Sequence, residues 1–272
     1  MNIRQPAVAG AFYPASSVAL GDLVDRFLRE AKHPTTRACP KAIVVPHAGY
    51  VYSGAIAASA YALLAPHAAR IERIVLVGPA HRVLVDGLVD PAATHLRTPL
   101  GDIAVDTAAL AIASALPNAA VGSSAEAHAR EHSLEVQLPF LQKVVPNAKL
   151  VPFAVGRAPL AEVARVLESL WGGPETVIVI SSDLSHYLPY AVGRETDTST
   201  ANRIVALDPT PLHGEEACGA AGINGLLEVA RRKKLRAELV DLRSSGDTAG
   251  SRDEVVGYGS FAFYEGDEEA HA

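Results

Sequence analysis

Short, almost wholly apolar runs alternate with longer amphipathic segments along the chain, and this alternation limits the possible folds more than any other feature. Amphipathic segments with helical periodicity begin at Ser53, Ser133 and Pro159. Alternating strands and helices imply right-handed crossovers and a mostly parallel central sheet with helices on both faces. We therefore predict an α/β fold whose doubly buried strands are the apolar runs 41–46, 73–79, 149–156 and 176–183.

Two regions depart from this simple alternation. Residues 98–106 read as a turn leading into a short strand, which predicts an antiparallel excursion. The last part of the chain reads as a helix over 222–234 followed by two alternating strands, 236–245 and 254–265. The sequence contains no internal repeat and no stretch with the composition of a linker. We therefore expect residues 1–272 to form a single domain.

The composition excludes several functional classes. The formal net charge is −6, and the one basic cluster, 231–234, reads as the solvated end of a helix, which argues against nucleic acid as a partner. No apolar segment approaches the length of a membrane span, so we expect a cytoplasmic protein that does not bind membranes. Cys39 and Cys218 lie too far apart in sequence to suggest a disulfide framework, and Cys39 has no functional context.

Histidine and aspartate residues stand just beyond the ends of three predicted strands. His47 follows the first strand, His81 the second, and Asp183 with His186 the fourth. Ligands of open parallel sheets bind beyond the carboxyl ends of the strands, where neighbouring loops meet. A single histidine in such a loop is usually only a surface residue. The repeated placement, however, predicts that these four side chains share one site.

A metal would explain the grouping. Neutral imidazole is the commonest protein ligand, and two histidines with one anionic group leave positions open for a substrate. The anionic ligand could be Asp183 or the thiolate of Cys218, because a helix is predicted to begin just after this cysteine and helix N-termini favour thiolates. A small buried hydrophobe is the alternative role for Cys218. Tyr50, close to His47, is a candidate for the pocket wall, with packing on the next helix as its alternative.

A second motif suggests a different chemistry. His128, Glu131 and His132 spell H-x-x-E-H, the inverted signature of zinc peptidases. That mechanism needs both histidines on one face of a continuous helix. The segment around His128 is polar on every side, and the apolar period begins only at Leu134, with Ser133 placed to cap the helix. We therefore expect a loop at His128 and rank the peptidase below the strand-end site.

Five sequence blocks occur along the chain in the order "VPHAGYVYSG", "LVGPAHRV", "EHSLEVQLPFL", "SSDLSHY" and "ACGAAGI". Together they resemble the Memo family (mediator of ErbB2-driven cell motility), including its bacterial and archaeal members. The family is similar in fold to the class III extradiol dioxygenases, whose Fe(II) is held by two histidines and a glutamate. The resemblance implies that His47 and His81 are metal ligands and that Cys218 stands where those enzymes place their carboxylate.

The resemblance also implies roles around the metal. His186 matches the acid–base histidine of the dioxygenases, Asp183 is its expected orienting neighbour, and His132 is expected to line the same pocket. Fe(II) is the expected metal, but a thiolate from Cys218 would shift the preference toward copper or zinc. We therefore expect a metal-dependent oxidoreductase acting on a small molecule of unknown identity, with a radical-SAM protein as a partner. The alternative is a redox-metal-binding or partner-binding protein without catalysis.

Overall fold

The computed structural model describes residues 2–31, 38–117 and 119–266. Within these ranges the strands form a large sheet and a small one. The strands are β1 Ile3–Arg4, β2 Ala42–Val45, β3 Arg73–Pro79, β4 Leu88–Asp90, β5 His95–Thr98, β6 Gly101–Ala104, β7 Val121–Ser123, β8 Lys149–Val155, β9 Thr176–Ser181, β10 His186–Leu188, β11 Arg236–Ser244 and β12 Val255–Tyr264.

Eight α-helices and three short 3₁₀ helices, counted over the same ranges, connect these strands. The α-helices are α1 Ser17–Glu30, α2 Tyr50–Tyr61, α3 Thr107–Ser114, α4 Ala125–Ala129, α5 Leu138–Val144, α6 Leu160–Ser169, α7 Tyr190–Val205 and α8 Ala220–Arg232. The 3₁₀ helices are Ala65–Arg70, Glu135–Gln137 and Ser245–Asp247. None of the helices in this part of the chain combines the length and the apolar character needed to span a membrane.

The large sheet has the order β10-β12-β2-β9-β3-β8-β4-β7, and β11 pairs with β12 as well. Its centre, β2-β9-β3-β8, is parallel, whereas β12 and β4 pair antiparallel with the two outer strands of that centre. In register, Val45 lies opposite Ser181, and Val77 lies opposite Ile180. The carboxyl ends of β2, β3 and β9 therefore reach the same edge of the sheet together, as predicted.

Helices cover both faces of the large sheet. On one face, the Ser260 hydroxyl of β12 donates a hydrogen bond to the Ile56 carbonyl of α2. Gly257 lies three residues earlier in the same strand and therefore faces the other side, where any side chain would collide with Asp197 of α7. The α/β class, the parallel centre and the helices on both faces are confirmed. That the whole chain forms one domain stays a prediction.

The predicted antiparallel excursion at 98–106 is part of the small sheet. There β5 and β6 form a hairpin, and β1 pairs parallel with β5. Sequence patterns did not predict α1, α3, α4 or α7, and the loop expected at His128 is wrong, because this residue lies in α4. Helix α7 carries polar residues around most of its surface, so its apolar period is weak.

Two predicted helix starts are displaced. Helix α2 begins at Tyr50 rather than Ser53, because Gly49 takes the N-cap position and the Ser53 hydroxyl donates to the Ala48 carbonyl from inside the first turn. Ser133 caps no helix, since its hydroxyl donates to the Pro79 carbonyl at the end of β3. This bond ties the loop before the second 3₁₀ helix to the edge of the sheet where the polar residues gather.

Candidate metal centre

Three histidines converge at the edge of the sheet where β2, β3 and β9 end. His47 lies two residues after β2, His81 lies two residues after β3, and His132 comes from the loop before the 3₁₀ helix at 135–137. One ring nitrogen from each lies within 4.8 Å of the other two. The ring centroids are 4.8–5.4 Å apart. The three imidazoles are therefore close enough to share one metal ion.

The ring of His47 is fixed in one tautomer. Its Nδ1 lies 2.9 Å from the Ser181 hydroxyl, and that hydroxyl donates its own hydrogen to the Ser133 carbonyl at 2.6 Å. Because Ser181 has no second hydrogen to give, Nδ1 of His47 must carry the proton and donate it. Gln137 Nε2 also donates to the Ser181 hydroxyl, at 2.8 Å, and holds it in place. Nε2 of His47 is therefore left with a free lone pair.

The ring of His81 is fixed by a carboxylate. Its Nδ1 lies 3.0 Å from Oε1 of Glu131, and its backbone N–H donates to Oε2 of the same residue. The backbone N–H groups of His132 and Ser133 also donate to Oε1. Burial alone would raise the pKa of Glu131, but the hydrogen bonds from His81 and Ser133 outweigh it and hold the pKa well below its ordinary value. The ionised carboxylate accepts from Nδ1 and leaves Nε2 of His81 free.

His47 and His132 are uncharged at neutral pH. Burial, with repulsion from His81, lowers the pKa of His47 to about 3. Burial, with repulsion from His47, lowers the pKa of His132 to about 4. Nδ1 of His132 is buried and makes no hydrogen bond within the described ranges, although it lies 3.3 Å from Oε1 of Glu131. Two imidazoles held in one tautomer, beside a third with an unsatisfied ring nitrogen, fit a transition metal.

The free energy of unfolding of the metal-free protein is expected to fall as the pH drops below 6.5. There the unfolded chain binds protons at His47 and His132, whereas the folded chain binds them only near pH 3 and pH 4. Each group contributes a slope of about 1.4 kcal/mol per pH unit between these limits. Urea unfolding at several pH values measures this slope. It should shrink in His47→Gln and persist in a His95→Gln control, and an unchanged slope in His47→Gln contradicts the prediction.

Cys218 lies beside the histidine cluster. Its Sγ is 3.3 Å from Nε2 of His47 and accepts a hydrogen bond from the Asp183 backbone N–H. Gly219 permits this approach, because a side chain there would come within 2.7 Å of the Ser181 carbonyl oxygen. The sequence predicts a stabilised thiolate at the start of α8, but burial and the nearby Asp183 carboxylate raise the pKa of Cys218 to about 12. Without a metal, the thiol is therefore protonated at neutral pH.

Asp183 and His186 lie at the same edge of the sheet but are not arranged as expected. Asp183 was predicted to orient His186, but its Oδ1 accepts a hydrogen bond from the His47 backbone N–H at 2.7 Å. The Asp183 carboxylate therefore positions the loop that carries His47. Burial raises its pKa. The ring of His186 is half-buried and packs edge-on against Tyr187.

A cavity of about 880 Å³ opens in front of the three histidines. Asp183, His186 and Cys218 also line it, so six of the seven side chains selected from the sequence meet there. Tyr50 lies elsewhere. Its ring packs between Tyr13 and Phe140, and its hydroxyl donates to the Val136 carbonyl. Packing, the alternative role for Tyr50, is what the structure shows.

Comparison with known sequences identifies the family. The profile of the family described as Memo-like protein matches residues 4–262. The chain belongs to the Memo-like family. It is 36% identical to a MEMO1 family protein of Archaeoglobus fulgidus, over 96% of this chain and 99% of the relative. Similar relatives are MEMO1 family proteins of Aquifex aeolicus, 35% identical over 95% and 98%, and of Ignicoccus hospitalis, 34% identical over 97% and 99% of the two chains.

The inverted peptidase motif is not a zinc site in this Memo-like protein. Helix α4 ends at Ala129, so no continuous helix carries both histidines. His128 is buried, and its Nε2 lies 2.9 Å from the Val89 carbonyl, away from the metal cluster. Glu131 is not free to act as a base, because four N–H groups of His81, His132 and Ser133 occupy its oxygens. The peptidase alternative is therefore rejected.

A buried ion pair clamps the N-terminal segment of this Memo-like protein against the site. Arg4 pairs with Glu135, whose carboxylate also accepts hydrogen bonds from the Ala7 and Val8 backbone N–H groups and from the Tyr13 hydroxyl. The Arg4 guanidinium also donates to the Glu131 carbonyl at 2.6 Å. Arg4 thus fixes the backbone of the segment whose Glu131 side chain binds His81.

Replacing Arg4 by alanine is expected to lower the free energy of unfolding by about 3–5 kcal/mol, because it leaves Glu135 buried without its partner. The two side chains are 7% and 0% exposed, so solvent cannot compensate for the lost charge. Chemical denaturation measures the change. The more exposed pair Arg97–Asp102 gives the matched control, since Arg97→Ala should lower the free energy of unfolding far less. Equal losses in both variants contradict the prediction.

Proposed function

We propose that this protein binds a transition metal through His47 and His81, with His132 or Cys218 as the third ligand, and uses it in an oxidoreductase reaction on a small molecule. The main support for the proposal is that the rings of His47 and His81 are each held in one tautomer by a hydrogen-bond partner. Ser181 holds Nδ1 of His47 and Glu131 holds Nδ1 of His81, so both free lone pairs are on Nε2. Partners of this kind accompany most metal-binding histidines.

The donor set favours Fe(II), with copper or zinc as alternatives. Imidazole nitrogen suits all three metals, and a buried carboxylate at the edge of the site favours iron, whereas a thiolate ligand favours copper or zinc. Two ligands of one zinc ion, a thiolate sulfur and an imidazole nitrogen, stand about 3.5 Å apart when the site is tetrahedral. The separation of 3.3 Å between Cys218 Sγ and His47 Nε2 is close to that value. A bound Fe(II) would supply Lewis acidity and one-electron redox chemistry.

The side chains around the histidines supply the remaining functions. His186 lines the cavity, and its imidazole is placed to transfer protons to and from a substrate there, as acid–base catalysis requires. Asp183 fixes the His47 loop through its backbone N–H. The cavity of about 880 Å³ has room for a substrate of metabolite size in front of the metal ligands.

Metal analysis of protein purified without chelators, combined with oxygen uptake in the presence of dihydroxylated aromatic compounds, tests the proposal. We expect about one metal ion per chain and oxygen uptake that requires it. His186→Ala should keep the metal and lose the reaction. Metal retention without turnover would leave a redox-metal-binding protein, and absence of metal would overturn the whole proposal.

The third ligand can be assigned by loading the protein with Co(II). A thiolate ligand gives an intense near-ultraviolet charge-transfer band that imidazole does not give. Loss of that band in Cys218→Ser, with its retention in His132→Ala, would assign Cys218. Absence of the band in the wild type, with loss of metal in His132→Ala, would assign His132.

A further inference from the structure

A second, smaller cavity of about 480 Å³ adjoins the metal centre. Its walls are formed by Ala7, Val8, His81, Arg82 and Arg130. His81 and Arg82 also line the large cavity. The two spaces therefore meet at the histidine that Glu131 fixes, and a ligand in one can extend into the other.

The two arginines of this small cavity have no partners. The guanidinium groups of Arg82 and Arg130 make no ion pair or hydrogen bond to another residue in the described part of the chain, whereas those of most arginines there do. Two cations that share a wall and lack a counter-ion form a positively charged pocket.

Two acidic groups beside the small cavity, Glu131 and Glu135, are already occupied by other partners. Glu131 follows Arg130 directly, but its two oxygens already accept four hydrogen bonds from the His81, His132 and Ser133 N–H groups. Glu135 lies behind Ala7 and Val8, where it binds their backbone N–H groups and the Arg4 guanidinium. Both carboxylates are therefore engaged in their own networks, and the guanidinium groups of Arg82 and Arg130 remain available to a ligand.

We propose that this cavity binds an oxyanion, and that the substrate of the metal centre carries such a group, a carboxylate or a phosphate. The planar guanidinium of arginine donates paired hydrogen bonds that match both groups. With its anionic end beside Arg82 and Arg130, a substrate would extend past His81 into the large cavity. The identification of the anion as part of a substrate rests on the proposed function, whereas the binding of the anion does not.

The test titrates inorganic phosphate, and separately acetate, into the metal-free protein and follows the arginine side-chain N–H signals by NMR. We expect saturable binding that shifts the signals of Arg82 and Arg130. Arg82→Gln and Arg130→Gln should each weaken binding about tenfold or more, because each removes a charge-assisted hydrogen bond. Arg29, in the last turn of α1, is a further arginine without an assigned partner, and Arg29→Gln is the matched control that should change nothing.

The outcomes separate this proposal from the proposed function. Stronger binding of phosphate assigns a phosphate-bearing ligand, and stronger binding of acetate assigns a carboxylate. No saturable binding, or equal binding in wild type and Arg82→Gln, overturns the proposal. Metal content measured on the same preparations is expected to be unaffected by Arg82→Gln. A wild type without metal would refute the proposed function. The oxyanion site would then still be tested independently by the phosphate titration.

Discussion

Replacing His47 by alanine is expected to remove the metal from the protein. His47 is 2% exposed. Its Nδ1 is bonded to the Ser181 hydroxyl, so its Nε2, which Cys218 contacts, is the nitrogen that faces the metal site. Losing only a hydrogen-bond partner of a metal ligand costs about 10–100-fold in affinity, so losing the ligand should cost more than about 100-fold. Elemental analysis of wild type and variant, purified side by side without chelators, gives the result directly.

Two other histidine variants make this result specific. His95→Ala changes a half-buried histidine in β5, outside the cluster, and should leave the metal content unchanged. His128→Gln changes the first histidine of the H-x-x-E-H motif and should also keep the metal, because its Nε2 bonds to the Val89 carbonyl. Metal loss in His128→Gln together with retention in His47→Ala would reverse the assignment. Far-ultraviolet circular dichroism shows whether each variant is folded.

The second large effect is expected from Glu131→Gln. This change keeps the size of the side chain but removes its negative charge and gives one of its two acceptor positions to an amide. His81 then loses the anion that fixes its Nδ1 proton, and one of the backbone N–H groups of His81, His132 or Ser133 loses its acceptor. We expect the metal affinity to fall about 10–100-fold, as is typical when the hydrogen-bond partner of a metal-binding histidine is removed. A competition titration with a chelator of known affinity measures the change.

Glu126→Gln is the matched control for this experiment. Glu126 lies in the first turn of α4, five residues earlier, and faces solvent. Its replacement should leave the affinity for metal unchanged. If Glu131→Gln also binds metal as tightly as the wild type, the carboxylate does not support His81 as a ligand. The thermal midpoint of both variants separates a local effect on the site from a general loss of stability.

The sequence by itself determined the strands of the parallel centre and the edge at which they deliver their polar residues. Apolar runs buried on both faces have a strong signature, and His47, His81 and Asp183 each stand two residues beyond such a run. Parallel strands in register bring those positions together regardless of what the loops do. This is why His47, His81 and Asp183 meet in one cavity, which His132 and Cys218 reach from other segments.

Only the tertiary structure decided how these side chains are held and charged. Glu131 reads as part of a peptidase motif, and its role as the partner of His81 depends on a contact across 50 residues of sequence. Burial reversed the expected charge of Cys218, and the carboxylate of Asp183 serves His47 instead of His186. The side chain of Tyr50 packs in the core instead of lining the cavity. Hydrogen-bond partners and desolvation depend on distances between residues remote in sequence, and no local pattern of side chains encodes those distances.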